Sequence, residues 1–424
     1  MPVLLLVVFI NFVGIGALIP VLPYTVIETL GLSATVMTLL LASFAMAMFL
    51  SNPLLGRLSD KIGRRPVLIA SLFINALAHL WFAFSDDILQ MFAARILAGL
   101  AAGNTGVIQA IIADRVGSAD RARYMGLFGA AIGTGLVAGP ALGGLLSGIG
   151  SGPLHQAPFL LAAGFSFLAL MLSIRIEESA SLQPACASPK QTLIPRIAGM
   201  LHSPLALYAV AFFCLNLSFA QVEASFVLLL RDYLGFGARQ TGWLFTYVGG
   251  CIILVQAGLI NIAVRRFGEV GTVGFGASLL VIGQLLTVVM ALGLLIGNDY
   301  PLVQMVVATT AVCFGFGFSN PALSAAASNA AGAATMGGAL GTVQGFGSFG
   351  QVGGLVLAGP LYHLGGAQYS FGFGAVITCI LLAITLEAEA AGRARRRRPA
   401  RSHRKLCALA CPRSQRSRCI APML

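Results

Sequence analysis

The 424-residue chain is 58% hydrophobic and only 9% charged, with a mean hydropathy of +0.90. Soluble domains carry roughly 25% charged residues, so this chain cannot cover itself with water-compatible side chains and must be covered by lipid. Its formal net charge of +12 is not a nucleic-acid footprint: residues 393–424 hold 11 of the 26 Lys and Arg and no acid, leaving 15 bases against 14 acids elsewhere.

Backbone groups in lipid must pair internally, which leaves helices or a closed barrel. The apolar runs are about 20 residues or longer, as spanning helices require, not alternating runs of about 10. The expectation is therefore an all-α membrane protein of twelve helices in two pseudo-symmetric six-helix bundles. The first run begins within three residues of Met1 without a basic leader, so it is read as a spanning helix and not as a cleaved signal. Apolar segments fall near 3–24, 35–55, 67–85, 88–112, 124–148 and 156–175. Six more fall near 204–230, 241–264, 272–296, 301–322, 337–362 and 368–387. The expected units are a bundle over 1–175, a linker over 176–203, a second bundle over 204–390 and a disordered basic tail over 391–424.

With the N-terminus on the cytoplasmic side, the inward loops carry Arg57, Lys61, Arg64, Arg65, Arg115, Arg121, Arg123, Arg175, Lys190, Arg196, Arg265 and Arg266, and the opposite loops only Arg231 and Arg239. The excess of positive charge on one side places both termini in the cytoplasm.

Taken along the chain, the chemistry-bearing residues begin with Gly14-Ile15-Gly16 and Pro20 to Pro23 in the first segment. The loop after the second segment reads Gly56-Arg57-Leu58-Ser59-Asp60-Lys61-Ile62-Gly63-Arg64-Arg65. Gly56 and Gly63 permit a tight reversal, and Asp60 can face the positive end of a neighbouring helix. Arg64 and Arg65 offer planar donors to a carboxylate such as Asp114. The loop is no phosphate cradle, because it lacks the glycine spacing of one and a Ser or Thr after the lysine. Arg95 lies inside the fourth segment, and an intramembrane charge is a functional candidate. The fifth segment carries Gly129, Gly133, Gly135, Gly139, Gly143 and Gly144 with Pro140. Small residues at this spacing allow close helix approach, and Pro adds a kink.

Glu223 in the seventh segment is the carboxylate that lies well within a span; it can bind a proton, pair with Arg95 or attract a cation, or else pair with Arg231 near an interface. Polar candidates for a substrate pocket are Asn11, Asn104, Gln109, Asn216, Gln221, Tyr247, Gln256, Asn320 and Gln344, each equally able to join helices. The eight cysteines supply no framework: Cys407 and Cys411 form half a metal site with no second pair, and no metal is expected. The halves echo each other. Gly133 to Pro140 resembles Gly353 to Pro360 at a distance of 220 residues, and Asp60 to Gly63 resembles Arg265 to Gly268 at 205.

Over residues 1–390 the chain resembles the major facilitator superfamily, in its tetracycline-resistance and multidrug proton-antiporter branch. The carriers of the resemblance are Gly14 to Pro23, Gly56 to Arg65, Arg95-Ile96-Leu97-Ala98-Gly99 and the fifth-segment Gly-Pro stretch. The resemblance implies that loop contacts latch the two halves in an outward-facing state. It also implies that Arg95 serves proton coupling, and that Gly135, Gly139, Pro140 and Gly143 mark an antiporter. It departs from the tetracycline pattern at Asn11, where an acid is expected, and at Ala78 and His79 in the third segment. The function expected is proton-coupled export of small apolar or cationic compounds from the inner membrane, by a monomer needing no cofactor beyond the proton gradient. Its partners are substrate, protons and lipid, with no nucleic acid and no enzymatic activity. Metabolite uptake on the same fold and a non-transporting sensor are the alternatives.

Overall fold

A computed structural model describes residues 1–116, 118–147, 149, 155–178, 205–293, 301–331 and 336–397. The predicted linker beyond residue 178 and the tail beyond residue 397 lie outside them. The helices are α1 (Pro2–Thr29), α2 (Ala34–Ile62), α3 (Arg64–Ala83), α4 (Ile88–Arg115), α5 (Ser118–Leu146), α6 (Gln156–Ser173) and α7 (Leu205–Leu234). The stretch Ala238–Ala291 turns at Gly268 (φ 73°, ψ 177°), giving α8 over 238–267 and α9 over 269–291. Then follow α10 (Pro301–Ala331), α11 (Met336–Gly365) and α12 (Ala367–Arg397). Among the described residues, ten continuous stretches are long and apolar enough to cross a bilayer. The 54-residue one contains two of the twelve predicted spans, and α11 occupies the place of the eleventh.

Local signals set the turns. Ser33 Oγ accepts from Val36 N at 3.4 Å and caps α2, Asp87 Oδ2 accepts from Leu89 N at 3.2 Å and caps α4, and Gln240 Oε1 accepts from Gly237 N at 2.7 Å ahead of α8. Gly63 (φ 103°) reverses the chain between α2 and α3 in a conformation that side-chain-bearing residues rarely adopt. Large apolar side chains such as Leu54 (58% exposed) and Ile262 (64%) point outward, the inverse of a water-soluble surface.

Inside each bundle, buried polar groups satisfy one another. Asn75 Nδ2 donates to Asn11 Oδ1 and Ser166 Oγ, each at 3.1 Å, tying α1, α3 and α6; Asn104 Nδ2 donates to Ser71 Oγ at 2.9 Å. In the second bundle Gln284 Nε2 donates to Ser218 Oγ at 2.8 Å, Thr378 Oγ1 donates to Gln284 Oε1 at 3.1 Å, and Gln221 Nε2 donates to the Gly354 carbonyl at 2.8 Å. In lipid such bonds fix which helices meet.

The internal repeat is present in a different register from the expected one. Gly135 and Gly139 press against the Phe9 and Val13 carbonyls of α1, as Gly350 and Gly354 press against the Phe213 and Leu217 carbonyls of α7. Gly144 meets Gly242 of α8, and Gly359 meets Thr35 and Thr38 of α2. Helices five and eleven therefore correspond at 215 residues, not at the 220 given by their shared Gly-Pro. The 205-residue spacing of Gly63 and Gly268 holds, since both turn the chain with positive φ.

Candidate functional site: the seam between the halves

The two halves meet along α2 with α11 and along α5 with α8. The contacts are graded along the seam. At the end distant from the basic loop, a Cβ placed on Gly144 would lie 2.7 Å from Gly242 Cα, and one on Gly359 would lie 2.5 Å from Thr35 Cα. Further along, Gly249 packs tightly on Val137, while Ala42 and Ala45 pack with Ala220, Ala224, Val352, Leu355 and Ala358. Past mid-span the contacts thin out. The Phe49 and Phe349 rings still touch across the seam, with centroids 6.4 Å apart, but a Cβ on Gly133 would meet only Gln256 Oε1, at 3.8 Å, and one on Gly126, Gly129, Gly258 or Gly345 would meet nothing within 4 Å. The described seam is shut at one end and opens toward the end that carries the loop.

At that open end the loop is built within one half. Arg64 bridges Asp60 (2.5 Å) and Asp114 (3.2 Å) and donates to Ser59 Oγ at 2.7 Å, joining the ends of α2 and α4. The expected partnership with Asp114 is made by Arg64. Arg65 instead donates to the Ile174 carbonyl at 2.7 Å. Nor does Asp60 face a helix end. Glu178 does so, accepting from the Arg64 and Arg65 amides at 2.9 and 3.1 Å. A carboxylate there satisfies free N–H groups and opposes the positive end of the α3 dipole. Arg115 reaches the Glu177 carbonyl beside it. These described contacts fasten the start of the linker to the first bundle; none of them joins the halves.

Near mid-seam, Glu223 is half-buried and accepts from Gln351 Nε2 at 3.4 Å. Neither suggested cation pairs with it: Arg231 pairs with Asp232 at 2.7 Å, and the Arg95 guanidinium lies 4.6 Å above the Phe44 ring. Arg95 is 5% exposed, with its Nε unpartnered. A guanidinium over an aromatic face gains cation–π attraction, yet its donors remain available to an acceptor.

The Major Facilitator Superfamily model matches residues 4–288. The chain belongs to the major facilitator superfamily. Multidrug resistance protein 1 of Bacillus subtilis (strain 168) is 30% identical over 391 residues, covering 91% of this chain and 95% of that protein. The class C tetracycline resistance protein of Escherichia coli is 35% identical over 268 residues, covering 62% and 66%. The solved nucleoside transporter NupG superposes with a TM-score of 0.73 at 14% identity, covering 91% of this chain and 98% of that one. The human organic anion transporter MFSD10 gives 0.61 at 22% with the same coverage; both show the fold alone. As a superfamily member the protein is a multi-pass membrane transporter and not an enzyme.

Not all the polar candidates of this transporter face its seam. Asn11, Asn104 and Gln221 are buried inside their own bundles as hydrogen-bonded joints. Asn216 donates to the Phe212 carbonyl one turn back, at 2.9 Å. Tyr247 shares a hydrogen bond with Thr310 at 2.6 Å, and Gln109, Gln256 and Gln344 are exposed. Gly135, Gly139 and Gly143 line the contact of α5 with α1 and leave no room for a side chain. Sequence reasoning missed Glu178, Asn75, Gln351 and Tyr24. Only Asn75 carried a signal, as a strong polar group one turn before His79 in an apolar span.

Proposed function

We propose that this transporter exports small apolar or cationic compounds in exchange for protons, from the inner membrane, as a monomer with both termini cytoplasmic. The observation that carries the reading is Glu223. It is a carboxylate at mid-seam held by a neutral amide and not by a fixed cation, so a proton or a cationic cargo can neutralise it. The names of the relatives, multidrug resistance and tetracycline resistance proteins, support a drug-like cargo.

In this reading the basic loop marks the cytoplasmic end, and the described arrangement is open to the cytoplasm. Cargo enters between the halves, with Gln109, Gln256 and Gln344 as polar contacts along the opening. Glu223 is a single carboxylate that a proton or a cation can neutralise but not both, so proton and cargo compete for it, with Arg95, buried over Phe44 in the first half, as the second coupling residue. The loop residues Gly56, Asp60, Gly63, Arg64 and Arg65 with Asp114 hold the ends of α2, α3 and α4 as one rigid gate element.

The test is efflux of a fluorescent cationic dye from vesicles under an imposed pH gradient. Glu223→Gln is expected to abolish acceleration by the gradient while leaving downhill dye movement. Equal acceleration in wild type and variant would remove Glu223 from coupling.

A further inference from the structure

Among the described residues, one side chain hydrogen-bonds across the shut end of the seam. Tyr24, near the end of α1, is 1% exposed. Its hydroxyl donates to the Phe236 carbonyl at 2.8 Å and shares a hydrogen bond with Thr241 Oγ1 at 2.7 Å. Among the described residues, no other hydrogen bond joins the two halves. The ring packs with Val227, Ala238 and Phe245 of the second half. The acceptor is free because the chain leaves α7 there. Gly235 (φ 62°) turns it, the Phe236 amide bonds back to Leu230, and the Phe236 carbonyl lies outside any helix. Thr241 is fully buried in the first turn of α8.

The rest of this end is closed by glycine contacts, Gly144 on Gly242 and Gly359 on Thr35 and Thr38. Those contacts are close backbone approaches at which no hydrogen bond crosses the seam among the described residues. The Tyr24 hydroxyl is different, because both of its protein partners lie in the other half and are kept only while the halves are shut.

We infer that Tyr24, with the Phe236 carbonyl and Thr241, is the latch of the far-side gate, and that breaking it is a required step of every transport cycle. The inference rests on the alternating-access reading, in which this end must open to release cargo. Interhelical hydrogen bonds in a bilayer shift such equilibria by about three- to tenfold. Tyr24→Phe keeps the ring and removes both bonds, so the ratio of far-side-open to far-side-closed molecules should rise by that factor. Thr241→Val removes one bond and should give a smaller rise in the same direction. The double variant should open no further than Tyr24→Phe.

Electron–electron distances between spin labels at Ser33 and Leu364 would read the ratio. Both positions are exposed and flank the shut end. The full chain, with its own cysteines replaced by serine, would be measured in lipid nanodiscs with and without dye. A larger long-distance population in both single variants supports the latch. Two populations in wild type that neither variant shifts would overturn the latch while leaving alternating access intact. A single unchanging short distance in every condition would overturn both. If Tyr24→Phe does not fold, Thr241→Val decides alone, and an unshifted ratio in it overturns the assignment.

Discussion

Gly139→Ala tests whether the fifth-helix glycines act by close packing. A Cβ at position 139 would lie 2.5 Å from the Val13 carbonyl oxygen and 2.7 Å from the Ala17 nitrogen. Both are backbone atoms, so no side chain can swing away, and α1 and α5 must part by about 0.9 Å to restore the 3.4 Å of ordinary contact. Overpacking of this kind costs roughly 1–3 kcal/mol, and the parted helices also lose dispersion contact along the seam of α1. Gly133→Ala, two turns earlier on the same helix, is the control. Its Cβ would meet only Gln256 Oε1, at 3.8 Å, and replacing a helical glycine by alanine gains about 0.5–1 kcal/mol. Thermal unfolding of the purified protein in detergent should therefore fall by several degrees for Gly139→Ala and stay level or rise for Gly133→Ala. At about 2–4 °C per kcal/mol, a difference of roughly 1.5–4 kcal/mol should separate the two midpoints by roughly 3–16 °C. Equal midpoints would show that the glycines are not there for packing, and the backbone contact reasoning would fail.

Other outcomes follow from named contacts. Arg64→Ala releases Asp60 and Asp114 together and should slow dye efflux more than Asp114→Asn does, with thermal stability changed by no more than about 1 kcal/mol because the pairs are partly exposed. Glu178→Ala uncovers the first amides of α3 and should raise proteolytic cleavage of the linker, while a modest cost of about 1 kcal/mol is read by unfolding; unchanged cleavage would argue against the anchoring role. Asn75→Ala should lower stability by about 1–2 kcal/mol through loss of two buried bonds, measured in the same way. His155, buried at the head of α6 outside the apolar span, has its imidazole held below the usual histidine range by burial, opposed by the Asp86 charge and the Ser85 backbone. Its folded form binds protons less readily than the unfolded chain, so its contribution to stability is present above about pH 6.5 and is lost as pH falls below that. His155→Phe should flatten the fall in unfolding temperature between pH 7 and pH 5; an unaltered profile would refute the assignment.

The all-helical membrane class and the loop with its Arg64–Asp114 pair were legible in the sequence, because they depend on composition and short-range spacing. The superfamily was legible too, since its motifs are local. The pairing of Glu223 was not. Periodicity places it within a span but cannot say whether Arg95, Arg231 or Gln351 stands opposite, and the structure selects Gln351. Asn11, Asn104 and Gln221 read as pocket residues because a polar group in lipid looks functional from sequence alone. Three-dimensional packing turns them inward on Asn75, Ser71 and Gly354 instead.

The sequence alone determined that this chain must live in lipid as helices, since a chain with 9% charged residues has no other way to satisfy its surface and backbone. Tertiary structure decided everything that requires knowing which faces meet. The repeat register moved from 220 to 215 residues because glycine is required where backbones touch, and that place is set by the neighbouring helix, not by the nearest proline. The tyrosine that joins the halves is 212 residues from the carbonyl it binds, a separation at which sequence carries no signal and only the closed seam brings the two atoms together.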